Sequence, residues 1–512
     1  MNGQQIMTNS LEQLSKQDPK LGQFEPFAGQ NAHTPYLAAP DSRLHRKVCE
    51  SLEEAIKRSG LKDGMTISFH HGYREGDKVV MKVVDALAKL GFKNLTLASS
   101  SLASCHDPLV EHIKSGVITQ IYTSGLRGKL AEAISNGLMQ KPVQIHSHGG
   151  RVHLLQTGEL KIDVAFLGVA CCDEFGNANA SNGKSNCGSL GYAKVDADFA
   201  RQVVLMTEDI VAFPNHPASI SQDRVDWIVK VDEVGDSKKI SVGAARVTNN
   251  PRELMIARRA ADVIEFSGYF VDGFSIQTGS GASSTAATRF LEDRMKRKGI
   301  TASFALGGIT GGITDLHKKG LIKAIVDVQS FDHDAAESLR TSPAHIEISA
   351  NEYANPTSKA AYVDRVDVVI LSALEIDLDF NVNVITGSDG VMRGASGGHC
   401  DVAAAANLTM VVAPLCRSRI PTVVRRVTTL LTPGESVDVL VTDQGIAVNP
   451  KRPEIEKRLR EARLPVITIE ELYDKAVALT GEPDPIKFAE RIVGVVRYRD
   501  GSVIDVVRQV AD

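Results

Sequence analysis

The sequence predicts an α/β fold: two tandem, duplicated open α/β domains with mainly parallel sheets flanked by helices. Three observations predict it. Short apolar runs of strand length alternate with segments of helical periodicity and glycine stops, which is the rhythm of βαβ units. At 512 residues the chain exceeds what one ordinary hydrophobic core organises. Two unrelated patterns also recur at one spacing. "Lys-x-Gly, apolar, Ile" stands around Gly116 and Gly320, and "Asp-x-x-x-Asn-x-Asn" starts at Asp173 and Asp377, both pairs 204 residues apart. The helix-stopping glycines Gly91 and Gly299 lie 208 apart, in the same order. Three ordered matches with small insertions point to duplication of one unit.

Residues 1–41 are polar and punctuated by Pro and Gly, predicting an irregular extension. Leu44, Val48, Leu52, Ala55 and Ile56 recur at helical spacing before Gly60, predicting a helix over Ser42–Arg58. Strand-like Thr66–Phe69, a helix near Lys78–Leu90 and the apolar run Leu95–Ala98 follow. The pattern continues through Gln144–Ser147, Asp163–Val169, Gln202–Met206 and Trp227–Val231. A first domain of 42–240 results. Gly, Ser and Asn cluster over Ser237–Asn250, marking a boundary, and a second domain of 250–512 opens on a helix-like segment. There Phe274–Thr278 leads through Gly-Ser-Gly into a helix that stops at Gly299, and Ser303–Gly307 is the next strand. Asp500-Gly501 between two alternating runs predicts a closing hairpin.

Composition narrows the function classes. With 43% hydrophobic and 23% charged residues and a net charge of −4, nothing favours general nucleic-acid binding, whereas an anionic substrate needs only a local cationic pocket. No apolar run approaches the roughly 18–20 residues of a membrane helix. The seven cysteines are scattered, without a CxxC pair, and no signal-peptide apolar core stands at the start. A cytoplasmic, reduced setting is the expectation.

Several segments could carry chemistry. Gly279-Ser280-Gly281 lies between a strand and a helix start, where unpaired N–H groups can hold a phosphate or an oxyanion, or simply make a tight turn. It lacks the third glycine and the acidic residue of a dinucleotide fingerprint, so NAD is rejected. Leu306–Asp315 holds two Gly-Gly pairs, including Gly307 and Gly308, and Gly387–His399 is a second Gly-rich loop carrying Arg393, Gly397 and Gly398. Dense glycine fits close approach of backbone to a thin ligand, or plain turns. His146 and His148 would share one strand face, with Arg151 and His153 nearby. That cluster lacks carboxylate or thiolate metal ligands, so no metal is assigned. A carboxylate-binding pocket and ordinary hydrogen-bonded histidines both remain open, as they do for His70-His71. No Gly-x-Ser-x-Gly elbow or cysteine nucleophile signature is present.

Six segments together are recognisable: Ser124–Gly128, Gln144–Leu154, Asp173–Ala180, Ser372–Val384, Gly387–Asp401 and Thr442–Pro450. In order, and over essentially the whole chain beyond residue 42, they resemble the citrate lyase alpha-subunit family, the citrate CoA-transferases. More distantly, the segments around Gly279, Gly387–Gly398 and Thr442 resemble the wider family I CoA-transferases. That resemblance implies tandem domains of CoA-transferase (NagB/RpiA-like) type. It implies an enzyme that exchanges acetate for citrate on an acyl carrier protein, after which a separate β subunit cleaves citryl-carrier to oxaloacetate and acetyl-carrier. The implied partners are this β subunit and the γ carrier, with homo-oligomers inside a larger complex. No cofactor is held permanently; the enzyme acts on the carrier's phosphoribosyl-dephospho-CoA arm. A generic acyl-CoA transferase or hydrolase of the same fold is the alternative, and a non-catalytic regulator a more distant one.

One departure matters. The wider family carries a glutamate nucleophile where this chain has Gly307-Gly308-Ile309-Thr310, and no Asp or Glu stands between Thr301 and Thr314. A mixed anhydride formed directly by citrate is therefore expected, with N–H groups of Gly279, Gly281, Gly307 and Gly308 facing the oxyanions. Glu375 is the leading remaining covalent candidate, with a structural carboxylate as its alternative, and Glu347 is another. Arg127, Arg151, Arg246 and Arg393 are the cations available to citrate. One site between unequal halves is expected.

Overall fold

Parallel strands covered on both faces need apolar residues at almost every position, and runs such as Val164–Val169, buried throughout, supply them. A computed structural model describes residues 10–13, 15–17, 46–240 and 248–511. Residues 10–13 and 15–17 are helical. They belong to a unit, 1–46, separate from Lys47–Asp512. All that follows concerns the larger unit.

Its first half forms β1 (Val48–Cys49), β2 (Thr66–Phe69), β3 (Leu95–Ser99), β4 (Ile118–Thr123), β5 (Val143–Ile145) and β6 (Val164–Val169). Then come β7 (Cys171–Asp173), β8 (Ala178–Asn179), β9 (Gln202–Thr207), β10 (Ile210–Val211) and β11 (Trp227–Lys230). The second half opens with β12 (Ser275–Thr278), β13 (Ala302–Ile309), β14 (Ile322–Ser330), β15 (His345–Glu347) and β16 (Val368–Ser372). It continues with β17 (Glu375–Asp377), β18 (Val382–Asn383), β19 (Leu408–Val412), β20 (Cys416–Arg417) and β21 (Ile420–Pro421). β22 (Val423–Val424), β23 (Val439–Val441), β24 (Ile446–Val448), β25 (Phe488–Arg497) and β26 (Val503–Val510) complete the chain.

The repeat is present in the topology. Part of the first sheet runs β11-β9-β6-β2-β3-β4-β5, and part of the second runs β23-β19-β16-β12-β13-β14-β15. These neighbours pair parallel in both sheets. Gly116 and Gly320, both at positive φ, precede the equivalent strands β4 and β14. Asp173 and Asp377 close the equivalent antiparallel pairs β7–β8 and β17–β18. In each, the carboxylate accepts turn amides and the side-chain amide of the residue four positions on, Asn177 at 2.8 Å and Asn381 at 3.2 Å. The recurring motif is thus a self-contained turn whose chemistry survived duplication.

Three local expectations change. The first helix spans Leu52–Arg58, not Ser42–Arg58: the Ser51 hydroxyl accepts Glu54 N–H at 3.1 Å and starts it there. Val48 instead pairs with Ile228 at the sheet edge, and residues 42–45 lie outside the described residues. β5 ends at Ile145, so His146 and His148 do not share a strand face. Ser147 caps the helix His148–Thr157 by accepting Gly150 N–H at 2.9 Å, and His148 is its first residue. The hairpin around Asp500-Gly501 forms, but β25 pairs parallel with β5, through Val495 opposite Gln144. The end of the 250–512 segment therefore extends the first sheet.

The halves share a core. Val326, Val328, Ile348, Val369 and Leu371, on one face of the second sheet, lie in one buried cluster with Phe69, Val169 and Tyr192 of the first half. Ile276, Ala305, Ile325 and Ile370 fill a separate cluster on the opposite face. In the boundary region residues 241–247 are outside the described residues; Asn250 then caps the helix Pro251–Ser267.

Candidate active site where the strand ends meet

Ligands of open parallel sheets bind beyond the carboxyl ends of the strands. Here the ends of β2 and β14, one from each half, are hydrogen-bonded to one another. His71, just past β2, meets the Gln329 side chain of β14 through Nε2 and Oε1 at 3.2 Å, while His71 Nδ1 faces Ser100 Oγ past β3 at 2.5 Å. Arg74 donates to the carbonyls of Phe331 and Ser330 at 2.8 and 2.6 Å. Its guanidinium lies over the Phe331 ring, 4.7 Å from the centroid. Arg74 joins the halves.

The Gly-rich loop of the second half docks on the first. Gly125 bridges Ala395 in antiparallel fashion, Ser396 N–H donates to Ser124 O at 2.7 Å, and Leu126 N–H to Gly394 O at 3.3 Å. A Cβ on Gly125 would fall 2.3 Å from Ala395 Cα, so only glycine permits this approach. Farther along, His148 N–H donates to Gly397 O at 2.8 Å. Two sequence motifs that stand far apart are one structure.

From there a circuit of polar side chains closes. The rings of His148 and Tyr192 are 4.3 Å apart between centroids, and those of Tyr192 and His71 4.7 Å. Gln277, on β12, donates to the Tyr353 hydroxyl at 2.8 Å. Gly398 packs against that hydroxyl. Gly307, at φ 97°, lies against the Gln277 amide, where β13 bulges between Gly307 and Gly308. Tyr192 and Gln329 carried no local sequence signal.

The circuit is polar yet its imidazoles are neutral. Burial, then the Arg151 charge, pushes His146 and His148 down to about 3. Burial and the neighbouring His148 and Arg74 hold His71 well below its ordinary value. His148 Nδ1, His146 Nε2, Ser124 Oγ, Gln277 Oε1 and Thr278 Oγ1 are buried without a hydrogen-bond partner. Buried polar atoms are nearly always paired, and exceptions gather where a ligand is handled. Neutral imidazoles can each donate one hydrogen bond and accept another.

The sequence-named residues divide. His148, Gly397, Gly398 and Gly307 lie on the circuit, and Gly308 adjoins it at the bulge beside the Phe331 ring. Gly279 donates its N–H to Ile370 O at 2.7 Å, and Gly281 caps the helix Ala282–Lys298 against Ser372 Oγ. The Arg151 guanidinium is buried in a paired contact with Asp196, at 2.8 Å between Nη2 and Oδ2, while its Nη1 is buried without a hydrogen-bond partner. Glu375 stands in its own turn, in keeping with the structural alternative. Its carboxylate accepts Asn383 Nδ2 and Thr428 N at 2.8 Å and Thr428 Oγ1 at 3.0 Å, which holds the β17–β18 turn and makes it a structural group. Arg393 is exposed and ion-paired with Asp389, and Arg127 is exposed at the start of the helix Gly128–Ser135. Glu347 accepts Leu190 N–H at 2.6 Å. Arg246 lies outside the described residues. Among the described residues no cluster of three His, Cys, Asp or Glu side chains could hold a metal ion.

A family model described as "Citrate lyase, alpha subunit (CitF)" matches residues 45–510. The chain is similar to the citrate lyase alpha chain of Klebsiella pneumoniae, with 65% identity over 504 residues, covering 98% of this chain and 99% of that one. The alpha chain of Escherichia coli K12 gives 64% over 511 residues, covering 99% and 100%. Among solved structures, the alpha subunit of citrate lyase from Streptococcus mutans in complex with citrate superposes with a TM-score of 0.91 at 51% identity, covering 96% of this chain and 98% of that one. Identity at this level over nearly the full length, on a matching two-sheet fold, establishes that this chain belongs to the citrate lyase alpha-subunit family.

Proposed function

We propose that this chain activates citrate for cleavage by exchanging acetate for citrate on the thioester of an acyl carrier protein, as the transferase of a multi-subunit citrate lyase. Its partners are a γ carrier subunit bearing a phosphoribosyl-dephospho-CoA arm and a β subunit that cleaves citryl-carrier, in the cytoplasm. Among the described residues no helix is long and apolar enough to cross a membrane. The observation that carries the reading is the convergence of the Ser124–Leu126 and Gly394–Gly398 segments beside His148, in a neutral lining with open hydrogen-bonding groups.

The chemistry follows from what this lining offers. A citrate carboxylate oxygen attacks the acetyl carbonyl, and the C–S bond breaks to release the carrier thiolate and leave an acetic–citric anhydride. The thiolate then attacks the citryl carbonyl, the anhydride C–O bond breaks, and acetate leaves. No net proton is transferred, so the protein's work is positioning and stabilising two tetrahedral oxyanions. Neutral donors such as His148 and the amides near Gly307–Gly308 suit that work. No carboxylate lies along Ala302–Ile309, and Glu375 is engaged by its own turn.

Mass spectrometry of an acetylated carrier incubated with this chain tests the reading. The acetyl-carrier mass should convert to citryl-carrier only when citrate is present, and hydroxylamine or borohydride trapping should modify no glutamate. No conversion overturns the transferase reading; a modified Glu375 or Glu347 overturns the anhydride route.

A further inference from the structure

Resting on the reading of His148 as a substrate-facing group, we infer that Asp401 is a positioning residue of this reaction. Its carboxylate, supplied by the second half, holds the backbone on both sides of His148. Asp401 Oδ1 accepts the Ser147 hydroxyl at 2.7 Å and Oδ2 accepts Gly149 N–H at 2.9 Å. His148 N–H itself goes to Gly397 O at 2.8 Å, and Ser147 Oγ takes Gly150 N–H at 2.9 Å. The leading amides of the helix His148–Thr157 are thus satisfied, two of them by the 397–401 segment.

The placement has a physical logic. The first amides of a helix have no intrahelical acceptor, and the macrodipole favours a negative charge beside them. Asp401, fully buried, supplies both. Gly149 must lack a side chain there, since a Cβ would sit 2.0 Å from Ala354 O and 2.8 Å from Asp401 Oδ1. Arg499, in the hairpin turn, places Nε 3.9 Å from Asp401 Oδ1. The other titratable groups around the carboxylate are His148, Tyr192, Tyr353, Cys400 and Tyr498. Two remote segments, the helix start at 147–149 and the hairpin turn at Arg499, therefore meet on the Asp401 carboxylate.

The carboxylate has a titration inside a workable range. Burial pushes Asp401 up to about 6, against the Gly149 and Ser147 donors and the Arg499 charge, which favour its ionised form. At neutral pH it accepts from both donors. Protonation removes one acceptor and loosens the His148 turn, so turnover falls on the acid side.

The test compares pH profiles of acetyl-to-citryl exchange for the wild type, Asp401→Asn and Arg499→Gln, with thermal unfolding of each. Arg499→Gln removes a neighbouring positive charge, so its acid limb should move to higher pH by about 1 unit. Citrate's own ionisation is identical in all three proteins and shifts nothing between them. Asp401→Asn should fold, lose kcat by roughly 10²-fold and lose the acid limb assigned to this group. If Asp401→Asn fails to fold, Arg499→Gln still decides. Superimposable limbs for wild type and Arg499→Gln, with normal wild-type turnover, overturn the Asp401 inference and leave the transferase reading standing. A wild type without exchange overturns the transferase reading instead. Amide hydrogen exchange at 147–150 then decides for Asp401: protection lost below about pH 6 supports the clamp, and unchanged protection overturns it.

Discussion

Arg151 shows how the fold pairs a charged residue that stands beside a site. Its guanidinium and the Asp196 carboxylate are both out of solvent and paired through two nitrogens, with Ala98 O accepting a further bond at 3.0 Å. Breaking such a pair strands a charge where water cannot reach it. Arg151→Met is expected to lower stability by about 3–5 kcal/mol, measured by denaturant unfolding, with no selective rise in KM for citrate in the protein that folds. A variant of native stability with weakened citrate binding would return Arg151 to the substrate. Glu375 follows the same logic through neutral donors: a carboxylate accepting three bonds from its own turn is poorly placed to attack a thioester. At position 171, 204 residues earlier, the equivalent turn carries Cys171 opposite Asn179, as Glu375 stands opposite Asn383.

At the scale of elements, the Gly-rich segments separate by geometry. Glycine at 116, 299 and 320 serves helix exits at positive φ, a local role visible in the spacing. Gly125 serves a contact with a loop 270 positions later, and no local pattern distinguishes the two uses. Gly125→Ala should push the Ala395–Gly398 segment away from Ser124 and His148. The expected result is a stability loss of about 1–3 kcal/mol with exchange activity down by roughly 10²-fold, read from unfolding curves and initial rates. Unchanged kcat would remove the 394–398 loop from the site. Strands, helix stops and the turn motif at Asp173 and Asp377 were legible because each rests on a short period or on bonds within a few residues. The first helix was overextended because Val48 fits helical spacing as well as it fits an edge strand.

For the whole molecule, the C-terminal hairpin decides how the sequence halves relate to the sheets. Val493, Val496 and Val507 are buried, and β25 covers the edge that β5 would otherwise expose. An uncovered apolar edge strand is a template for association. Truncation before Phe488 is expected to give aggregated chain in size-exclusion chromatography and light scattering. A monodisperse truncated protein with an unchanged Tm would show the hairpin to be dispensable. The same hairpin brings Arg499 to Asp401, so one element links sheet completion to the site.

The sequence by itself determined the α/β class, the duplication and the segments that matter, because hydrophobic period, glycine stops and turn chemistry act over a few residues. It left open which charges are spent and which polar atoms are free. Those outcomes hang on contacts such as Ser147 with Asp401, 254 residues apart, and His71 with Gln329, 258 apart. Pairing a buried ion or leaving a buried donor open is decided by what the other half places beside it. Only the tertiary structure supplies that neighbour.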